Sequence, residues 1–397
     1  MLDPELASAV DSGEGVVAGV LSGTSADGID VGFVRLEGAD AHGRRCPRLF
    51  AFRTEPFAEG LAARVRAVLD GAPCGLRETA LLHRDLGLAF GRAVRRLADE
   101  TALEPCVAGS HGQTVWHHDG APAGARATLQ LGDGDFVAEA AGCAVVSDFR
   151  QRDVAAGGEG APLSALADDW IFAREPRPAC VLNLGGMANV SVLAERTASF
   201  DTGPCGSLLD GLARRLAGRP FDAGGALAAA GTPDLAHVEA TLAAPFFAAP
   251  PPKSTGRDTF GEAWVDAWLA AARRAGAARP ADALATAVEL VAGSVALALE
   301  RFVAARPARV LVAGGGLHNA ALVRALARRL PVEVVSSAAA GVDPDAREAI
   351  VFAVLAARAV LGLATTRNEV TGAAPGRVLG KLSAAPPARS RRKPRIV

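Results

Sequence analysis

The chain has 397 residues, of which 50% are hydrophobic and 21% are charged, and its formal net charge is −1. This length exceeds what a single core usually fills and predicts two domains, while the near-zero charge excludes a strong attraction of the whole protein to nucleic acid or to an anionic membrane. The six cysteines form no C-x-x-C pair, which argues against a disulfide framework and against a zinc site.

The N-terminal leader, residues 1–14, is acidic and has no apolar core, so it predicts no signal peptide. No stretch of the sequence reaches the roughly 18 uncharged apolar residues that a membrane-spanning helix needs. Together these features predict a cytoplasmic protein without a membrane partner.

The first half of the chain alternates short apolar runs with glycine-rich loops. Residues 15–20 and 29–36 predict two strands joined by the loop 21–28, which together form a β-hairpin. Residues 79–101 predict a helix with one apolar face, formed by Leu82, Leu86, Phe90, Val94 and Leu97. Two further short strands are predicted at 107–109, before a polar loop that starts at Ser110, and at 144–146.

The glycine-rich stretch 155–162 predicts a boundary, after which the pattern restarts. A strand at 180–184, a Gly185-Gly186 turn and a strand at 188–193 repeat the opening hairpin, as a duplicated α/β fold would. The remaining predictions are helices at 266–275, 281–304, 320–330 and 346–363, a strand at 309–312 and a glycine loop at 313–319. The basic, Pro-rich end, residues 386–397, predicts a disordered tail rather than a nucleic-acid or membrane anchor.

Three glycine loops at 23–28, 203–206 and 314–316 follow strands or strand-like runs. Glycine permits positive φ and close approach of the backbone, so its N–H groups can bind phosphate oxygens. One such loop is as compatible with an ordinary turn, but three in similar positions favour a phosphate site.

Two nucleotide-binding motifs are absent from the sequence, and their absence narrows the type of nucleotide site. The sequence has no G-x-x-x-x-G-K-[ST] motif and no G-x-G-x-x-G between a strand and a helix, which argues against a P-loop and a dinucleotide fold. The first loop leads into a strand, as in the sugar kinase, Hsp70 and actin superfamily. We therefore predict an α/β, two-domain actin-like ATPase (ribonuclease H-like) fold with an ATP cleft between the domains.

Nine segments in collinear order make the resemblance specific, from residue 15 to about 382. They are SGTSADGID at 22–30, GSHGQTVWH at 109–117, TLQLGDG at 128–134, SDFRQRDVAAGGEGAPL at 147–163, LNLGGMANVS at 182–191, FDTGPCG at 200–206, PKSTGRDTF at 252–260, VAGGGLHN at 312–319 and VTG at 370–372. With these segments the chain resembles the anhydro-N-acetylmuramic acid kinases.

The resemblance implies a reaction in peptidoglycan recycling and amino-sugar catabolism. ATP, with Mg²⁺, phosphorylates the 6-oxygen of 1,6-anhydro-N-acetylmuramic acid while water opens the anhydro ring, giving N-acetylmuramic acid 6-phosphate and ADP. The implied partner is this small sugar, and a homodimer is compatible with the family. Two alternatives stay open, a kinase for a different sugar and a catalytically weak nucleotide-binding relative.

Site residues follow from the matched segments. Asp201 is the expected catalytic base that activates the water, with turn capping as the alternative. Asp27 is the expected Mg²⁺ ligand, with Asp30 close behind. The expected ATP-binding residues are Gly23, Thr24, Ser25, Ala26, Asp27, Gly28, Ile29, Asp30, Gly203, Gly314, Gly315, Gly316 and Asn319. The expected sugar-binding residues are His111, Gln113, Asp148, Arg150, Gly186 and Asn189, and the planar fork of Arg150 suits the lactyl carboxylate. Packing of the loop is the alternative for His111, and a structural Arg–Asp pair is the alternative for Arg150.

Two segments depart from the family pattern. Cys205 and Gly206 replace the second glycine and the Asn of Gly-Pro-Gly-Asn, and Glu159 stands where a Gln is usual. We expect the first change to alter a local phosphate or sugar contact and the second to add charge beside an anion site. The predicted domains are 15–150, to which 373–385 could return, and 151–372.

Overall fold

The protein is described by a computed structural model that covers residues 3–23, 26, 28–40, 42–117, 123–195, 197–275, 279–304 and 306–387. The strands are β1 Val16–Ser22, β2 Ile29–Ala39, β3 Arg45–Glu55, β4 Pro105–His117, β5 Thr128–Leu131, β6 Ala144–Ser147, β7 Ala179–Leu184, β8 Met187–Leu193, β9 Ala198–Pro204, β10 Arg309–Ala313, β11 Glu333–Ser336 and β12 Lys381–Ser383.

The α-helices connect these strands and cover their faces. They are α1 Pro4–Asp11, α2 Glu59–Leu69, α3 Leu76–Thr101, α4 Gly134–Ala141, α5 Phe149–Ala155, α6 Ala165–Ile171, α7 Gly206–Ala217, α8 Ala226–Ala229, α9 Leu235–Leu242, α10 Pro245–Ala248, α11 Arg257–Phe260, α12 Glu262–Ala275, α13 Pro280–Phe302, α14 Ala320–Arg329, α15 Arg347–Val360 and α16 Asn368–Thr371.

The strands form two sheets that share one five-strand pattern. The first has the order β12-β6-β4-β1-β2-β3, with β5 paired to β4, and the second has the order β11-β10-β7-β8-β9. In each sheet three strands form an antiparallel meander, and two parallel strands lie beside its first strand. The predicted fold class, α/β with two related halves that each open on a hairpin, is confirmed.

The central strands are apolar because both faces of each sheet are covered. Every residue of β1 and β7 is buried. Three hydrophobic clusters result: one outside the first sheet under α3, one outside the second sheet around α13, and one between the sheets that contains α15 and α6. The middle cluster joins the two halves, since Val17, Val181 and Ile350 all belong to it.

Helix α15 lies against the first sheet at backbone distance. A Cβ atom added at Gly19 would be 1.8 Å from the carbonyl oxygen of Ala349, and one at Gly109 would be 2.1 Å from that of Phe352. No other residue type fits at these two positions without moving the helix. The N-terminus of α15 is thereby held at the edge where β1 and β4 end.

Several element boundaries differ from the sequence predictions. The polar loop predicted from Ser110 is instead the second half of β4, because residues 113–117 pair with β5. Asp201 does not follow a strand but lies inside β9, which pairs with β8 as far as Pro204. The strand β3 was not predicted; it lies at the sheet edge, and most of its residues are half-buried or exposed without a regular alternation. Residues 388–397 of the predicted tail lie outside the described residues.

Among the described residues one helix, α13, is long and apolar enough to cross a membrane by composition. Within its most apolar window, 78% of the residues are buried inside the fold. Its apolar character is therefore explained by packing in the cluster outside the second sheet.

Candidate active site

Several of the described site residues lie directly after parallel strands of the two sheets. In each sheet the antiparallel meander extends to one side of the first strand, and the parallel strands lie on its other side. The carboxyl end of the first strand is therefore a topological switch point. Ligands of open α/β sheets bind in the crevice at such points. Gly23 follows β1, Gly185 follows β7 and Gly314 follows β10.

The first glycine loop is held against the end of β4. The Nε2 atom of Gln113 donates to the carbonyl of Gly23 at 3.1 Å, and the amide of Ala26 donates to the same carbonyl at 3.1 Å. Ala26 has φ 51°, a conformation rare for a residue with a side chain. Of the predicted phosphate loop, Thr24, Ser25 and Asp27 lie outside the described residues.

The loop ends in a tight passage to β2. A Cβ atom at Gly28 would be 2.9 Å from the carbonyl oxygen of Glu55, so the strand β3 requires glycine there. Ile29 is 2% exposed and belongs to the cluster under α3. Asp30 is half-buried and accepts a hydrogen bond from Oγ1 of Thr54 at 2.6 Å.

His111 and Arg150 form a directed pair. The Nε atom of Arg150 lies 2.8 Å from Nε2 of His111, and Nδ1 of His111 lies 3.0 Å from the carbonyl oxygen of Gly112. Since the guanidinium can only donate and the carbonyl can only accept, Nδ1 carries the imidazole proton and Nε2 accepts. Burial, together with the charge of Arg150, holds the pKa of His111 well below its usual value, and this keeps the ring neutral.

Asp148, the other predicted sugar-binding residue in the segment 147–163, binds a different partner. It has φ 58°, and its Oδ2 accepts from Nζ of Lys381 on β12 at 3.0 Å. Arg150 instead donates through Nη1 to the carbonyl of Gly160 at 2.7 Å. The two neighbours therefore serve different contacts.

Asp201 lies on β9 opposite Asn189 of β8 and is 5% exposed. Its backbone amide donates to the carbonyl of Lys253 at 3.1 Å, and its Oδ2 accepts from the backbone amide of Thr255 at 2.7 Å. The loop 252–256 thus holds both ends of this residue. Its negative charge acts on the guanidinium of Arg150, whose pKa burial lowers and this charge partly raises.

Lys253 turns its side chain into an aromatic pocket. Nζ lies 4.7 Å from the ring centre of Phe246 and 5.1 Å from that of Phe302, and it donates to the carbonyl of Phe246 at 3.0 Å. Burial lowers the pKa of this ammonium group to about 8. The backbone of Lys253, through its bond to Asp201, reaches the site.

The departure at Cys205 and Gly206 has a packing explanation. The Cys205 side chain is completely buried in the cluster outside the second sheet, and burial raises the pKa of its thiol to about 12. A Cβ atom at Gly206 would be 3.0 Å from the carbonyl oxygen of Gly185, a distance that leaves little room for a side chain. The amide of Gly206 donates to that carbonyl at 2.9 Å, and the amide of Cys205 donates to Gly186 at 3.0 Å.

The remaining predicted nucleotide residues lie on the second half. Gly203, with φ 150°, leaves no space for a Cβ atom, which would be 2.9 Å from the ring of Phe247. Gly314 has φ 85° and lies over the end of β7, while Gly315 and Gly316 begin a 3₁₀ turn. Asn319 caps α14, since its Oδ1 accepts from the amide of Leu322 at 3.0 Å.

Several buried polar atoms near these strand ends have no hydrogen-bond partner within the described chain. Such atoms are uncommon in folded proteins and indicate a missing ligand or water. In the first half they are Ser22 Oγ, Ser110 Oγ and Gln113 Oε1, and in the second half Asn189 Oδ1, Ser207 Oγ and Thr255 Oγ1. Both halves of the site therefore offer hydrogen bonds that a polar ligand could complete.

For a metal ion the described residues offer few ligands. Within them, no group of three or more His, Cys, Asp or Glu side chains is arranged to hold a metal. Mg²⁺ that arrives with a nucleotide needs only one or two carboxylates, because phosphates and water complete its shell. Asp30, which is half-buried at the start of β2, is a carboxylate of this kind; Asp27, the predicted ligand, is outside the described residues.

Three contacts at the site were missed from the sequence. Glu348, at the start of α15, lies 3.4 Å from Nδ2 of Asn183 and acts electrostatically on Arg150. Thr255 holds Asp201 through its backbone amide, a donor that no side-chain pattern in the sequence reveals. Arg126 pairs with Glu159, and the sole sequence signal for it was an acid that needs a nearby cation.

The sequence matches the family described as anhydro-N-acetylmuramic acid kinase over residues 15–385. An anhydro-N-acetylmuramic acid kinase of Xanthomonas oryzae pv. oryzae is 44% identical over 373 residues, which cover 92% of this chain and 96% of the relative. The enzyme of the same description from Gloeobacter violaceus is 39% identical over 368 residues, covering 90% and 96%.

Solved structures show only distant likeness. A ROK family glucokinase from Streptomyces griseus, in complex with glucose and AMPPNP, has a TM-score of 0.37 at 12% identity over 86% of this chain and 98% of its own. The (R)-2-hydroxyglutaryl-CoA dehydratase component A of Acidaminococcus fermentans has a TM-score of 0.43 at 14% identity over 87% and 99%. At these values neither structure bears on the chemistry of the site.

Proposed function

The chain belongs to the anhydro-N-acetylmuramic acid kinase family, and we propose that the site at the strand ends carries out that family's reaction. The protein is an ATP-dependent sugar kinase. It phosphorylates 1,6-anhydro-N-acetylmuramic acid at the 6-oxygen and opens the anhydro ring with water, which yields N-acetylmuramic acid 6-phosphate and ADP in peptidoglycan recycling.

The observation that carries this proposal is the placement of Asp201. Its carboxylate is buried, anchored through one oxygen by the amide of Thr255, and close enough to Arg150 for their charges to interact. A carboxylate fixed in this way can accept a proton from water as the water attacks the anomeric carbon. The bond from that carbon to the 6-oxygen breaks, and the freed 6-oxygen takes the γ-phosphoryl group.

The sugar-side roles follow from charge and tautomer. Arg150 offers a guanidinium that suits the lactyl carboxylate of the sugar, and neutral His111 keeps Arg150 oriented. Gln113, Asn189 and Gly186 offer polar groups on either side of the crevice. Asp148 would act at the edge of this site, where Lys381 holds it.

The nucleotide lies, in this proposal, between the two hairpins. Residues 23–30 and Gly203 would face its phosphates, and Gly314 to Gly316 with Asn319 would face its adenosine. Mg²⁺, held by Asp27 or Asp30 and by the phosphates, would offset negative charge on the transferring group. The chain's own contribution is to place the phosphoryl group and to keep the base and the water in position.

The experiment follows ADP release from the purified protein with ATP, Mg²⁺ and 1,6-anhydro-N-acetylmuramic acid. Sugar-dependent ADP is expected, and in ¹⁸O-labelled water the label should enter the anomeric hydroxyl and not the phosphate. Absence of sugar-dependent ADP would refute the proposal. N-acetylmuramic acid, glucose and N-acetylglucosamine serve as competing acceptors, and faster turnover with one of them would favour a kinase for a different sugar.

Domain division, location and assembly complete the proposal. Each sheet would be the centre of one domain, 15–150 and 151–372, with 373–385 returning to the first, where β12 pairs with β6. We place the enzyme in the cytoplasm, where ATP is available, and expect a homodimer as the family resemblance suggests. Light scattering coupled to size-exclusion chromatography tests the oligomeric state.

A further inference from the structure

Glu159 and Arg126 form an ion pair beside the candidate site. Their side chains are only 11% and 18% exposed. Nη1 of Arg126 also donates to the carbonyl of Gly157 at 2.8 Å, and the amide of Glu159 donates to the carbonyl of Thr371 at 2.7 Å. None of these contacts belongs to the roles assigned above, so the pair calls for its own explanation.

The pair fixes the segment 157–160, and this segment holds Arg150. Nη1 of Arg150 donates to the carbonyl of Gly160, whose amide donates to Oδ2 of Asp153 at 2.8 Å. Since Arg150 also orients the ring of His111, a displacement of Gly160 would reach both sugar-side residues.

The same carboxylate reaches the opposite side of the crevice. Oγ of Ser254 lies 3.5 Å from Oε2 of Glu159, and the next residue, Thr255, donates its amide to Asp201. Glu159 therefore contacts both the wall that holds Arg150 and the loop that holds Asp201. Its position influences the separation of these two groups.

Charge explains why the acid needs its partner. The sugar carries a carboxylate, so an uncompensated Glu159 beside the sugar-side residue Arg150 would repel it in surroundings less polar than water. The guanidinium of Arg126 cancels this charge.

We propose that Arg126 supports sugar binding by neutralising the carboxylate of Glu159, which lies between the segment 157–160 and the loop 252–256. This inference rests on the proposed function. It predicts that the two residues matter as a pair and that the effect falls on the sugar rather than on ATP.

The test compares R126Q, E159Q and the double variant R126Q/E159Q, each checked for folding by thermal denaturation. R126Q leaves the carboxylate of Glu159 without its counter-charge, so the KM for the sugar should rise about tenfold. This rise should become smaller at higher salt, because salt screens the charge. The sugar KM of E159Q and of the double variant should stay within about threefold of wild type, because a neutral amide at position 159 does not repel the sugar. The two substitutions are then non-additive, as expected for coupled residues. The ATP KM should not change in any of the three.

An unchanged sugar KM in R126Q, or a double variant as impaired as R126Q, would overturn the inference. If R126Q does not fold, R126K decides: it keeps the charge, so a sugar KM near that of wild type supports the inference and a tenfold rise refutes it. Wild-type protein inactive on the anhydro sugar defeats the proposed function and this inference together. If the wild-type protein is active but the sugar KM values of the variants do not differ as expected, only the inference is refuted.

Discussion

The two sheets share a strand order but meet the helices between them in different ways. In the first sheet Gly19 and Gly109 bring the backbone of α15 against β1 and β4. In the second sheet Val181, Leu193 and Leu311 face the same cluster with ordinary side chains. The duplicated topology therefore did not duplicate the contacts: α15 is tied to the first half by its backbone and to the second by side-chain packing.

The chemistry divides along the same line. In the proposed reaction the first half provides the sugar-side groups His111, Gln113 and Arg150, and the second half provides the buried carboxylate of Asp201, the proposed base. Neither sheet has a complete set of groups for the proposed reaction. Substitutions in one half should therefore damage a function that the corresponding place in the other half cannot supply.

The largest effect is expected from Asp201→Asn. Removal of the base should lower kcat about 10³-fold, within the range for general base catalysis, while ATP binding measured by calorimetry stays close to that of wild type. Ser199→Ala, a buried change two residues earlier on the same strand, serves as the control and should keep most of its turnover. If the Asp201→Asn variant kept a kcat within tenfold of wild type, the base would have to be another group.

The backbone contact of α15 is tested by Gly19→Ala. A methyl group 1.8 Å from a carbonyl oxygen cannot be accommodated in place, so the free energy of unfolding in urea should fall by about 3 kcal/mol, at the upper end for overpacking. Gly38→Ala, on β2 with open space around its added Cβ, should change it by less than about 0.5 kcal/mol. Equal stability of the two variants would contradict the close contact.

The buried neutral histidine should make stability depend on pH. The folded-state pKa of His111 is depressed, so its contribution is complete above the ordinary value of 6.5 and is lost as the pH falls below it, because the unfolded chain then binds a proton that the folded chain does not. One such group contributes a slope of up to about 1.4 kcal/mol per pH unit.

Urea unfolding between pH 7 and pH 5 measures this slope, and His111→Gln, which retains an acceptor for Arg150, should make it shallower. Burial also lowers the pKa of His237, so only the difference between wild type and variant reports on His111. Identical slopes would contradict a buried neutral ring.

The smallest effect compares one helix cap from each half. Asp133 caps α4 and Asn319 caps α14 through side-chain oxygens, and replacement of either by Ala should cost about 1 kcal/mol of stability. Only Asn319→Ala should also raise the KM for ATP, since Asn319 is proposed to face adenosine. If the KM for ATP did not change, Asn319 would serve only as a helix cap.

Local patterns in the sequence predicted much of this fold. The apolar face of Leu82, Leu86 and Phe90 specified α3, and glycine between two apolar runs specified the opening hairpin. Residues 110–117 were misassigned because their strand depends on pairing with β5. A polar sequence can be a strand when a distant segment supplies the hydrogen bonds, and local propensity does not contain that information.

The sequence could name candidate site residues where a side chain would carry the role. Asp201 and Arg150 were named from their segments, and in the structure the charge of Asp201 acts on the guanidinium of Arg150. The amide of Thr255 and the partner of Glu159 could not be named, because backbone donors have no sequence signature and Arg126 is 33 positions away from its partner. Cys205 was expected to disturb a ligand contact, whereas its side chain is buried in a core.

The short strand β12 has a consequence for how the chain can be shortened. Its three residues cover the outer edge of β6, where they pair with Val145, Val146 and Ser147. Without them the backbone N–H and C=O groups of β6 would lie open, and an open edge is a template for the strand of another molecule. The strand β12 therefore protects the first half against self-association.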